Sequence, residues 1–233
     1  MPPLLVGATY TFTEDNSANS IPLTPPGILA GDQLFLYASV FQGQMPAVAG
    51  WTLEGQDPFY GGGNVALYYR QATGGDTAPT FPLNAETSLP LEYVSFAAYR
   101  NVASPSAFTG TFNGDYMNAT FNGGGYNHEN TAALPPINVP ASNYVIAVIQ
   151  PGGNPDPLYG TLLPGPGFTL DGTGGSGDAA WIWMHTEQAV SGLVTASTRI
   201  GPSLGGASYG SNPWGQAMVV AGLGAGSRST MLM

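Results

Sequence analysis

Apolar residues recur along this chain in short alternating runs separated by glycine and proline, and that pattern predicts β-strands. Residues 8–12 alternate small or polar side chains with aromatic ones. Residues 34–41 are apolar on both faces, as expected of a central strand covered on each side. In residues 65–71, Val65, Leu67 and Tyr69 share one face while Ala66, Tyr68 and Arg70 share the other. Residues 80–83 read as a short strand. Leu91–Arg100 reads as a long one, with Glu92, Val94, Phe96 and Ala98 alternating with Tyr93, Ser95, Ala97 and Tyr99. Later in the chain, residues 144–150, 180–187, 190–200 and 214–223 continue the scheme. Asn113-Gly114, between Phe112 and Tyr116, signals a type I′ hairpin turn. Nine or ten strands at this spacing predict an all-β sandwich.

A short block occurs twice. Gly50-Trp51-Thr52-Leu53-Glu54-Gly55 returns as Gly167-Phe168-Thr169-Leu170-Asp171-Gly172, a shift of 167 − 50 = 117 positions. Each copy follows an apolar run and precedes a Gly-rich turn and an aromatic run. The expectation is a jelly-roll-like β-sandwich built from two pseudo-repeated halves, about 1–102 and 137–223, within one domain spanning 1–223. Two separate domains would leave each core thin. Residues 103–136 form an insertion rich in Asn, Gly and aromatics, and 224–233 a flexible tail.

Composition narrows the function. Charged residues make up only 8% of the chain, about a third of the usual share, and lysine is absent. The basic side chains are Arg70, Arg100, Arg199 and Arg228, and the formal charge is −10. A nucleic-acid partner needs clustered cations to displace counterions, so none is expected; an anionic membrane surface is disfavoured for the same reason. No run approaches the ~20 apolar residues that span a bilayer. The start of the chain lacks the basic region of a signal peptide, so none is expected. Without cysteine there are no disulfides, thiolate nucleophiles or Cys-type zinc sites. Glycine (34) and proline (21) leave few long stretches free for a helix.

Each chemical motif has a plainer reading. Gly206-Ala207-Ser208-Tyr209-Gly210 spells a nucleophile elbow, but no His follows Ser208 and no helix is expected there, so it reads as a loop. His128 and His185 are the only imidazoles. With Glu129 and Glu187 merely local, His185 reads as a sheet-face histidine with a backbone partner. Asp171 and Asp178 flank a Gly-rich loop that resembles a calcium turn without its tandem repeat, so no metal or cofactor is expected. Glu54 and Asp171 occupy equivalent places in the two halves, which favours structure over a glycosidase pair; Glu86 and Glu92 flank a turn and a strand start. Trp51 and Phe168 read as strand-entry aromatics sealing one end of the core. Phe108, Phe112, Tyr116, Phe121 and Tyr126 form the candidate contact surface, because aromatics among Asn and Gly offer area at small entropic cost. Burial in the protein's own core is the alternative.

Gly31-Asp32-x-Leu34, Gly50-Trp51-Thr52-Leu53, Tyr68-Tyr69-Arg70-x-Ala72 and Ala98-Tyr99-Arg100-Asn101-Val102 together resemble a recurrent domain of bacteriophage virion structural proteins. The resemblance is clear over residues 31–102 and weaker through the Phe168 block to Val219-Val220. Its motifs are strand-and-turn signatures and bring no catalytic residue. The 103–136 insertion departs from it. The resemblance implies a non-enzymatic capsid decoration or cement protein of the virion, a homotrimer bound to the major capsid protein and bridging neighbouring subunits. The receptor- or carbohydrate-binding head of a tail fibre, with a glycan as partner, is the other role it implies.

Overall fold

A computed structural model describes residues 1–12, 27–40, 45, 47–59, 63–74, 76, 91–110, 130–150, 162–176, 179–200 and 214–223. Among these the protein is all-β. Its strands are β1 (Leu4–Phe12), β2 (Gln33–Val40), β3 (Thr52–Phe59), β4 (Gly63–Gln71) and β5 (Leu91–Arg100). They continue as β6 (Ala107–Gly110), β7 (Asn130–Ala133), β8 (Ile137–Val139), β9 (Asn143–Gln150) and β10 (Leu162–Pro164). The last are β11 (Thr169–Ser176), β12 (Ala179–Gln188), β13 (Gly192–Val194), β14 (Ser197–Ile200) and β15 (Trp214–Ala221).

Two five-stranded antiparallel sheets dominate, in the orders β1-β5-β2-β4-β3 and β11-β12-β9-β15-β6. They face one another, with β1 against β11, β5 against β12, β4 against β15 and β3 against β6. The alternation along each strand decides what the faces bury. Phe35, Tyr37, Val65, Leu67, Ala97 and Tyr99 meet Ile146, Val148, Trp181, Trp183, Met218 and Val220 in a core shared by both sheets. The outer faces are apolar too. Leu34, Leu36, Tyr68 and Phe96 lie under Met45 and Val48 on one side. Val145, Ala147, Ile182, Met184 and Val219 lie under Leu134, Ile137, Val139, Leu162 and Val194 on the other. Those covering residues come from or border the small sheets β10-β14-β7 and β13-β8. Fully burying one large apolar side chain stabilises by about 1.5–3 kcal/mol, so three such layers supply most of the folding drive.

Sequence positions 117 apart adopt one turn. The Trp51 amide donates to the Val48 carbonyl at 3.1 Å, and the Phe168 amide to the Gly165 carbonyl at 3.1 Å. Gly50 and Gly167 sit at φ 76° and 80°, left-handed values that glycine adopts without a Cβ penalty. The entries to β2 and β9 also correspond: Asp32 N–H donates to Leu29 O at 3.1 Å and Asn143 N–H to Pro140 O at 3.3 Å. Gly31 and Ser142, within those turns, both have positive φ.

Several expectations are corrected. The described residues hold fifteen strands where nine or ten were expected, because the blocks after Gly50 and Gly167 run on as full strands and the short strands β6, β7, β8, β10, β13 and β14 add to them. Residues 172–176, expected as a turn, are ladder: the Trp181 ring lies over Gly174, where a Cβ would come within 2.6 Å of it, so glycine there serves packing. Residues 190–200 are not one strand but β13 and β14, which pair with different small sheets. Ala107–Gly110, read as part of an insertion, is the edge strand β6 of the second sheet. The expected strand at 80–83, the hairpin at Phe112–Tyr116, the Ser208 loop, His128 and the 224–233 tail lie outside the described residues.

Candidate functional site

The residues of the Gly31-Asp32, Gly50-Trp51, Tyr69-Arg70 and Tyr99-Arg100 motifs bond to one another. Asp32, fully buried, accepts Arg100 Nε on Oδ1 at 2.8 Å and Arg100 Nη2 on Oδ2 at 2.7 Å. The same Oδ2 accepts the Leu29 amide at 2.9 Å, and Arg100 Nη2 also donates to Gly27 O at 3.2 Å. This fork-to-fork pair ties the end of β5 to the turn entering β2. Arg70 stacks its guanidinium 5.0 Å from the Trp51 ring centre and pairs with Asp76 at 2.8 Å. Asp76 in turn accepts the Thr73 and Gly74 amides, and Trp51 meets Phe96 edge-on. Asp32, Arg100, Trp51 and Arg70 are therefore committed to holding turns against strands, and a ligand would have to displace those partners to reach them.

A second polar cluster lies between the sheets. A bulge between Leu170 and Gly172 turns the Asp171 carboxylate toward its neighbours. Oδ2 accepts the Tyr99 hydroxyl at 2.7 Å, and Oδ1 lies 2.7 Å from His185 Nδ1. His185 thus departs from the expected backbone partner. The sequence signal for it was the β11–β12 register, which sets Thr169 opposite His185 and brings Asp171 alongside. A hydrolytic triad needs a hydroxyl or thiol on the imidazole nitrogen far from the carboxylate. Here the third member is a phenol on the carboxylate itself. Both carboxylate oxygens have protein partners, and the described residues contain no group of three or more His, Asp or Glu able to hold a metal ion. Glu54, Asp171's counterpart, lies on β3 at the opposite edge of the sandwich, so these two acids do not converge.

Beside this cluster, Trp183 Nε1 donates to Ser95 Oγ at 2.6 Å, a second hydrogen bond between the sheets. Burial, with the negative charge and hydrogen bond of Asp171 adding to it, raises the Tyr99 hydroxyl pKa well above its usual value, and burial alone raises Tyr68. A pKa raised on folding means that stability is complete below the unfolded value, about 10, and falls as pH climbs past it. In an alkaline titration followed by tyrosinate absorbance, Tyr68 and Tyr99 should ionise only as the protein unfolds. Smooth ionisation of every tyrosine near pH 10 in a folded protein would contradict their burial.

One end of the sandwich is exposed and apolar. At this end the chain enters β1, β2, β3, β9 and β11 and leaves β4, β5, β12 and β15, and the Val102↔Gly222 bridge joins the two sheets there. Exposed large apolar side chains at it are Met1, Leu4, Leu29 and Val190 at 72%, whereas Leu170 lies farther along the edge strand β11, opposite Met184, and Leu193 at 74% lies on β13 of a small outer sheet. Of the aromatic contact candidates, Phe108 is partly buried against the shared core, its ring 5.9 Å from Tyr69. Phe112, Tyr116, Phe121 and Tyr126 lie outside the described residues. No helix among the described residues is long and apolar enough to cross a membrane. Comparison with family models, curated proteins and solved structures returned no match to this chain.

Proposed function

We propose that the chain is a non-enzymatic structural protein of a virion, a capsid cement that bridges neighbouring subunits of the major capsid protein. The observation that carries this reading is the exposed apolar end of the sandwich, set beside polar groups that are spent internally. Arg70 and Arg100 are paired within the fold, and Asp171 is held by Tyr99 and His185. What is offered outward at that end is leucine, valine and turn backbone, which suits docking against another protein surface. Contacts of that kind depend little on ionic strength. The phage-like motifs supply the context, and a homotrimer would multiply weak contacts into a firm hold.

The architecture we infer is one domain of two related halves. Moving from the first sheet to the second, β1, β5, β2, β4 and β3 correspond to β6, β15, β9, β12 and β11, and the strand order is the same. Each fully buried strand side chain of the first sheet in the shared core has a counterpart there: Phe35 with Ile146, Tyr37 with Val148, Val65 with Trp181, Leu67 with Trp183, Ala97 with Met218 and Tyr99 with Val220. The halves exchange under an approximate twofold rotation about the strand direction. Likeness to a jelly roll lies in two facing antiparallel sheets around one core, each half keeping its strands in its own sheet.

Particles assembled without the chain should release their genome at a lower temperature, and adding the purified protein back should restore it. Unchanged heat stability would remove the reading. In solution the protein should have three times the mass of the 24.0 kDa chain.

A further inference from the structure

The exposed end carries the approximate twofold into surface chemistry. Leu29-Ala30-Gly31, entering β2, corresponds to Pro140-Ala141-Ser142, entering β9; Ala49-Gly50-Trp51-Thr52 corresponds to Pro166-Gly167-Phe168-Thr169. Burial follows the same correspondence. Leu29, Ala30, Ala49, Gly50 and Thr52 are exposed, and so are Pro140, Ala141, Pro166, Gly167 and Thr169, while Trp51 and Phe168 are both half-buried. None of the ten exposed residues bears a charge. The turn hydrogen bonds beneath them match as well, so the two sets are held in like conformations. A surface with two like patches about a twofold is complementary to a partner that presents one patch twice about a twofold.

We infer that this end is a bivalent docking surface for two copies of one protein subunit related by a local twofold axis, each half of the chain gripping one copy. The inference rests on the cement reading and specifies its geometry: one chain straddles one pair of like subunits. Each grip alone is small and uncharged. Joined in one rigid body, the second contact forms at high effective concentration, which raises affinity by about 10²–10⁴ over a single grip. Exact identity of the patches is not required, since Leu29 against Pro140 and Ala49 against Pro166 preserve apolar character on turns of like conformation.

The test uses the full-length protein and particles assembled without it. Ala30→Arg places a charge on the first grip and Ala141→Arg places it on the second, both at exposed turn positions where folding stability should be unchanged. Wild-type protein should rebind, each single variant should bind about 100-fold or more weakly, by similar factors, and the double variant should not bind. Loss confined to one variant, with the other binding like wild type, overturns the bivalent geometry while leaving the cement role standing. Wild-type protein that does not rebind overturns the cement role itself. A protein that pairs end to end in free solution, with Ala30→Arg abolishing the pair, would make a second copy of this chain the occupant and likewise overturn the assignment.

Discussion

Trp183→Ala should cost about 3–5 kcal/mol of folding stability, the largest loss expected from any single change in the chain. The side chain is fully buried between the sheets, where it lies against Phe35 at 6.4 Å and Tyr99 at 6.2 Å between ring centres. Leu67 and Ala97 of the first sheet belong to the same buried layer. Truncation opens a cavity that this packed layer cannot refill, and it strips Ser95 Oγ of its donor. Domains are stable by only about 5–15 kcal/mol, so a large share of the total would go. Trp183→Phe keeps most of the volume and loses the hydrogen bond, so it should cost about 1–2 kcal/mol. Equilibrium denaturation of the three proteins checks the order. A Trp183→Ala loss below about 1 kcal/mol would place the ring outside the core.

Asp32→Ala should come next, at about 3 kcal/mol, toward the lower end of what removing one member of a buried ion pair costs. Asp32 has no solvent exposure, whereas the Arg100 side chain keeps 22%, so water can partly serve the abandoned guanidinium. The turn into β2 loses its support as well, because the Leu29 amide bonds to the same carboxylate. Asp32→Asn, which preserves shape and one acceptor, should lose less. Asp32→Ala combined with Arg100→Met should recover part of the loss, since it removes the stranded charge. Denaturation midpoints of the single and double variants measure this. A double variant weaker than the sum of the singles would show that the pair stabilises through something besides mutual charge compensation.

The central strands were legible because β2 is apolar without a break over Leu34–Ala38 and β9 over Tyr144–Ile149, as expected of strands covered on both faces. The twin blocks at Gly50 and Gly167 were legible because a left-handed turn demands glycine and the next residue must plug the core. What periodicity hides is pairing at a distance. Asp171 reaches Tyr99, 72 positions away, only because a bulge falls one residue earlier on β11 than its place on β3 would suggest. β8, β10 and β13 are three residues each, too short for alternation to register, yet they cover the outer face of the second sheet. Composition leaves contact surface and core margin open for an aromatic among Asn and Gly, and Phe108 is partly buried at the margin of the shared core.

Amide hydrogen exchange under native conditions tests most directly whether the two sheets depend on a single interior. The amides of β2 around Phe35 and Tyr37 and those of β9 around Ile146 and Val148 should exchange only through one common unfolding event, with equal free energies and equal denaturant dependence. If either sheet instead exchanged completely while the other stayed protected, the sheets would be separate folding units, and neither the common core nor the twofold docking end built on it would stand.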